Sequence, residues 1–438
     1  MKVAGPNQQT APLPTRARLR DGLLAGAIAG LVGGIVLGGL VLAVGEQASL
    51  AYPLRSDPGL GGWIGHALFG AFLGAGFGAF VWRQRPGAGE TFFWGLAYGF
   101  FWWFLGPLTI VPLSEGRAVA WDVHEAQRTF PDLLAHLLYG ASTGLALATL
   151  RQIRDRKILP PLGAFASASA GGLLSAWLLG VMLESQGRLM EMTELMPEMM
   201  TNTVDTHSPG AARAIVLLLG LVSGAIFAWL YPRPLDGAGV GLVRGGVFGV
   251  FVWVAGARTV IPLAQGSGLD WSLSAVQADF QTLPGFFLFG AALALLYQVL
   301  HGLVSVLFTE ETAPIGHEAV GPAGLRALGR GALAGLVGGL VFSLVMVQIG
   351  FLPAVAGLVG SGSVLTGFVV HMSIALTIGM SYGLLFRRQT YDVGTALGWG
   401  LSYGFFWWVL GALTLMPVLL GSAPTWSVGA AADAFPAL

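Results

Sequence analysis

Apolar residues along this chain run in long blocks separated by short polar punctuation. Blocks of the length a bilayer crossing needs, roughly 17–25 residues, lie near 22–44, 61–82, 93–113, 132–150, 162–183, 211–231, 242–263, 284–308, 329–350, 363–386 and 395–420. Each predicts a membrane-spanning helix. The blocks also repeat. The stretch GLAYGFFWWFLGPLTIVPL returns 150 residues later as GGVFGVFVWVAGARTVIPL and 155 after that as GLSYGFFWWVLGALTLMPV. Its columns hold without a gap: Gly95/Gly245/Gly400, Gly99/Gly249/Gly404, Trp103/Trp253/Trp408, Gly106/Gly256/Gly411, Thr109/Thr259/Thr414 and Pro112/Pro262/Pro417. Beyond the block, Trp121/Trp271/Trp426 and Phe130/Phe280/Phe435 continue the match.

These repeats predict an all-α, polytopic transmembrane bundle of about 11 spans in a 4+4+3 arrangement with a pseudo-threefold relation. The expected division is a tail over 1–21, repeats over 22–157 and 158–308, a linker over 309–328, and a third repeat over 329–438. Phe130-Pro131 leads into a fourth span, whereas Phe435-Pro436-Ala437-Leu438 reaches the end of the sequence. The reading is therefore eleven spans, or a twelfth lost by truncation.

Composition agrees. The chain is 55% hydrophobic and 10% charged, with mean hydropathy +0.72, against about 25% charged residues in a soluble domain. It has no cysteine, which excludes disulfides and thiolate metal sites. The first apolar run exceeds a signal peptide's core of roughly 7–15 residues, so it reads as a retained span. Net charge is zero, and the placement of charge is more informative. With the N-terminus inside, inner segments carry sixteen Lys and Arg and outer ones five, with Arg258 inside a span. That bias predicts a cytoplasmic N-terminus and an extracytoplasmic C-terminus. The expected partners are the lipid bilayer and other membrane subunits, not nucleic acid.

Glycine recurs every fourth residue in the first span (Gly22, Gly26, Gly30, Gly34, Gly38) and again at Gly331, Gly335 and Gly339. Lipid gives helices no hydrophobic reason to associate, so small residues at this spacing let backbones approach. Three histidines head similar stripes: His66, His136 and His371. Such spacing turns each imidazole toward another helix. The readings are an interhelical hydrogen bond, a haem ligand, or a metal or proton site.

Arg258 is a charge deep within a span, where Leu108 and Leu413 stand in the other copies. Its burial costs at least about 2.5–3.5 kcal/mol, so it needs a partner. Carboxylates are absent from the span interiors, which predicts backbone carbonyls near Pro262 as acceptors; an anion or lipid headgroup is the functional alternative. Thr109, Thr259 and Thr414 each precede the motif proline by three, either lining a conduit or bonding the carbonyls that the proline frees. Met190, Met192, Met196, Met199 and Met200 give soft ligands for Cu(I), or a pliable amphipathic surface segment. The tryptophan column reads as interfacial anchors. Nine residues of helix would set each Trp opposite its Phe, so a break or re-entrant loop is expected after the proline.

The four-span unit resembles the YagU-like group of bacterial inner-membrane proteins. The likeness is carried by Gly95-x3-Gly99, Pro112, the polar linker, and a last span opening at His136 and closing at Arg151. It extends to all three units, whereas that group has one. The resemblance implies a bacterial inner-membrane location and an all-helical architecture, without an activity.

A Ser/His/Asp set, a carboxylate pair and a P-loop are all missing, so enzyme chemistry has no visible carrier. Three functions remain. The first is a non-enzymatic scaffold, accessory subunit or binder of an apolar ligand (lipid, quinone, pigment). The second is a permease for a small neutral or anionic solute, using Arg258 and the threonine-proline breaks. The third is a haem-binding electron-transfer subunit. For orientation, a cysteine replacing Arg154 is expected to be shielded from an impermeant maleimide in intact cells, and one replacing Arg117 to be labelled. The reverse pattern overturns the assignment.

Overall fold

The computed structural model describes residues 15–44, 60–81, 84, 86–155, 159–191, 208–266, 268–308 and 322–433, with no strand among them. Among the described residues eleven helices are long and apolar enough to cross a membrane, counting the wide turns that carry three of them on to Ser114, Leu263 and Leu419. They are α1 (Thr15–Val44), α2 (Leu60–Val81), α3 (Ala88–Leu105), α4 (Phe130–Arg154), α5 (Leu162–Ser185), α6 (Pro209–Leu230), α7 (Ala238–Val252), α8 (Leu283–Phe308), α9 (Pro322–Gln348), α10 (Val364–Leu385) and α11 (Val393–Trp407). The protein is an all-α polytopic membrane protein. Its chain divides into two compact units, Met1–Ile158 and Leu159–Leu438.

In the first unit α1 lies along α2 and α4, and α3 lies along α4. The glycine stripes do what their spacing predicts. A Cβ added at Gly30 would fall 2.5 Å from the Gly74 Cα, and one at Gly26 would fall 2.7 Å from the Gly78 Cα. Backbone therefore meets backbone along the α1–α2 seam, where a methyl group has no room. Gly95 and Gly99 of α3 press in the same way on Gly140 and His136 of α4, so the two helices run antiparallel. Tyr139 then fixes α4 to α2, its hydroxyl donating to the Gly70 carbonyl at 2.7 Å. Tyr98 fixes α3 to α2 through the Leu73 carbonyl at 2.8 Å.

The second unit holds α5 to α11. Here α5 packs on α6 and α8, α7 on α8, and α9 on α10. Gly172 meets Gly220 and Gly224, Gly245 meets Gly290, and Gly331 and Gly335 meet Gly379. Aromatic side chains close the rest: Phe287, Phe386, Tyr403, Phe406 and Trp426 share one buried cluster. A branched residue at a seam glycine should be disruptive. Gly74→Val is expected to lower stability by at least about 1–3 kcal/mol, read as thermal unfolding in detergent. Gly39→Ala, where an added Cβ meets nothing within 4 Å, should be neutral or slightly stabilising.

Candidate functional site

The repeated threonine-proline blocks build the most distinctive local structure in the chain. Each closes its span with a π-helical turn: Gly106–Ile110, Trp253–Val260 and Trp408–Leu415. Proline lacks the N–H that would continue an α-helical ladder, and a widened turn leaves carbonyls without their usual donors. Side chains and the following linker supply them. The Thr109, Thr259 and Thr414 hydroxyls donate to the carbonyls five residues back, Phe104, Val254 and Val409, at 2.9, 2.8 and 2.7 Å. The threonines thus bond carbonyls within or just before the wide turn, and not the carbonyls that the proline frees, which corrects the expectation.

The carbonyls four residues before the proline are met by the returning linker. Ala120 donates its N–H to Leu108 at 2.9 Å, and Thr425 donates to Leu413 at 2.9 Å. The indole N–H of Trp271 donates to the Arg258 carbonyl at 3.2 Å. Trp121 and Trp426 donate instead to the Thr109 and Thr414 hydroxyls, both at 3.0 Å. The chain turns back on left-handed glycines in register, Gly116, Gly266 and Gly421, with φ of 71°, 71° and 81°. A short helix then starts on Asp122, Ser272 or Ser427, whose side chain accepts from the backbone three residues on. Sequence reasoning missed these glycines and caps, although their column spacing was visible.

Between Trp and Phe in the first two copies the chain forms a separate short helix, Val123–Arg128 or Leu273–Asp279, so the expected break is present, and two of the tryptophans differ from their reading as interfacial anchors. Trp121 is 60% exposed, but Trp271 and Trp426 are 3% and 0% exposed. Trp426 packs against Gly285, because the linker lays it inward.

Arg258 also departs from expectation. Its acceptors are not carbonyls at the Pro262 break. It pairs with the Asp279 carboxylate from the linker helix and donates to the Asp270 carbonyl at 2.8 Å. Arg188 approaches the same carboxylate at 3.5 Å and bonds Glu191 at 2.8 Å. Two arginines and two carboxylates thus lie together, while Arg258 Nε is buried without a hydrogen-bond partner among the described residues. Ser272 hydrogen bonds hold the Asp270 carboxyl below the usual carboxylate range.

Of the three histidines, His66 and His136 belong to the first unit, where they are near enough to interact electrostatically, and His371 belongs to the second. His371 is buried on α10 and its Nε2 lies 3.0 Å from the Gly339 carbonyl of α9, the interhelical bond expected of it. His136 Nδ1 lies 2.7 Å from the Asp132 carbonyl one turn back. His66 is half-buried with no partner for Nδ1 among the described residues. Among the described residues no group of three His, Cys, Asp or Glu could hold a metal. Met190 is exposed on a short turn, and Met192, Met196, Met199 and Met200 lie outside the described residues.

A cavity absent from the sequence reading lies in the second unit. It measures about 210 Å³ and is lined by Leu179, Met182, Leu242, Leu288, Ala292 and Phe406, among others. Its polar member is Ser175, whose hydroxyl donates within its own helix to the Gly171 carbonyl. Comparison with protein-family models, curated proteins and solved structures finds no match.

For the ion cluster, Asp279→Ala is expected to cost about 1.5–3 kcal/mol by stranding Arg258. Arg258→Leu, which restores the residue of the other copies, should cost less. Unfolding in detergent of both single variants and the double variant measures the difference.

Proposed function

We propose that this protein is a non-enzymatic membrane protein that binds the hydrocarbon tail of a lipid or quinone in the cavity between α5, α7, α8 and α11. The wall chemistry carries this reading. No free polar group faces the space, so it suits a tail and offers nothing to a headgroup or a solute. Tails in the bilayer are already out of water, so the gain on entry is dispersion rather than the hydrophobic effect.

The pairing of Arg258 with Asp279 favours tail binding over a permease built on that arginine. The arginine distribution supports an N-terminus in the cytoplasm. The sequence resemblance supports membership in the YagU-like group and a bacterial inner-membrane location, and a role as scaffold or accessory subunit is compatible with tail binding. Native mass spectrometry of detergent-purified protein should show a co-purified lipid or quinone, displaced in Ala292→Phe while the fold is retained. Wild-type protein free of such adducts, or equal occupancy in both proteins, overturns the reading.

A further inference from the structure

His66 and His136 stand at one level of the first unit. Helix α1 runs antiparallel to α2, with Gly26 against Gly78 and Gly34 against Gly70. It runs antiparallel to α4 as well, with Asp21 4.0 Å from Arg154 and Gly33 against Tyr139. Hence α2 and α4 are parallel, and the bond from the Tyr139 hydroxyl to the Gly70 carbonyl, at 2.7 Å, fixes their register. His66 lies four residues before Gly70, and His136 lies three before Tyr139. Both imidazoles therefore stand about one turn beyond that bond, at the same end of the two helices.

Each ring keeps a nitrogen unused among the described residues. A carbonyl can only accept, so His136 carries a proton on Nδ1 and donates it to the Asp132 carbonyl at 2.7 Å. That leaves Nε2 with a bare lone pair on a ring held by a backbone bond, as in metal-binding imidazoles. The Cδ2 edge of His66 faces α1, 3.8 Å from where a Cβ on Gly38 would lie. Its Nδ1 edge is thereby turned away from α1, and that nitrogen is buried without a partner among the described residues. The aligned His371 differs, because the Gly339 carbonyl satisfies it.

The fold itself needs neither ring. Gly220 meets Gly172 as Gly74 meets Gly26, which places Ala212 where His66 stands in the first repeat. Gly249 meets the Phe286 carbonyl as Gly99 meets that of His136. In the second repeat the pair is thus Ala212 and Phe286, both buried, and apolar side chains fill the place.

We propose that His66 and His136 form a two-histidine clamp for a first-row divalent transition cation, with water completing its coordination. Imidazole suits Cu2+, Ni2+ and Zn2+ rather than Mg2+ or Ca2+, and Cu2+ binds most tightly in that series. Two protein ligands are fewer than the three or four of a catalytic or structural zinc centre, so the cation exchanges. While bound, it ties α2 to α4 beyond the Tyr139 bond.

The test uses the full chain without a histidine tag, purified in detergent. Zn2+ and Cu2+ should each bind at one equivalent in the presence of excess Mg2+, and should raise the unfolding temperature. His66→Ala and His136→Phe, which carry the residues of the second repeat, should each weaken binding at least about tenfold. His124→Ala, on the short linker helix, should bind as the wild type does. At one equivalent, nitrogen couplings in the electron spin resonance of Cu2+ on the wild-type chain should report two imidazoles, a reading that needs no variant to fold. Binding that does not saturate at one equivalent, a spectrum without two imidazoles, or affinity unchanged in both variants overturns the proposal. The cavity of the second unit takes no part, so failure here is separable from failure of tail binding.

Discussion

Helices in this protein are held by backbone meeting backbone. In water a bundle gains by removing apolar faces from solvent, but in lipid that gain is small and association depends on how closely atoms can approach. At the α1–α2 seam, and again where α3 meets α4 and α7 meets α8, glycine on one helix faces glycine or a bare carbonyl on the other. Every added atom at such a point separates two whole helices. The glycines at these seams, which would weaken helices in a soluble protein, are here the material from which the contacts are made.

A second constraint acts at the span ends. Backbone polar groups cannot be left open at membrane depth, yet each threonine-proline block removes a donor. The wide turn, the threonine hydroxyl and the returning linker together restore the account of donors and acceptors at all three sites. The same return sets the position of Asp279 beside Arg258, so the charge at the end of the span is neutralised by the segment that seals it. Sealing and charge compensation are one structural event there, which explains why an arginine can stand where the other copies have leucine.

Between these fixed points lies a space that the aromatic and aliphatic side chains of α5, α7, α8 and α11 do not fill. Its dry walls fit a hydrocarbon tail.

Much of this was legible in the sequence. Apolar block length gave the eleven spans, four-residue glycine spacing gave the contacting faces, and His371 found the interhelical carbonyl that its position implied. Periodicity reports which face of a helix is buried, because that face is a property of one segment. It does not report what lies opposite, because that belongs to two segments distant in sequence. The Asp279 partner of Arg258, the inward lie of Trp271 and Trp426 and the cavity beside Ala292 were all decided at that second level. Identical columns met different neighbours, and only the folded chain determined which neighbour each one met.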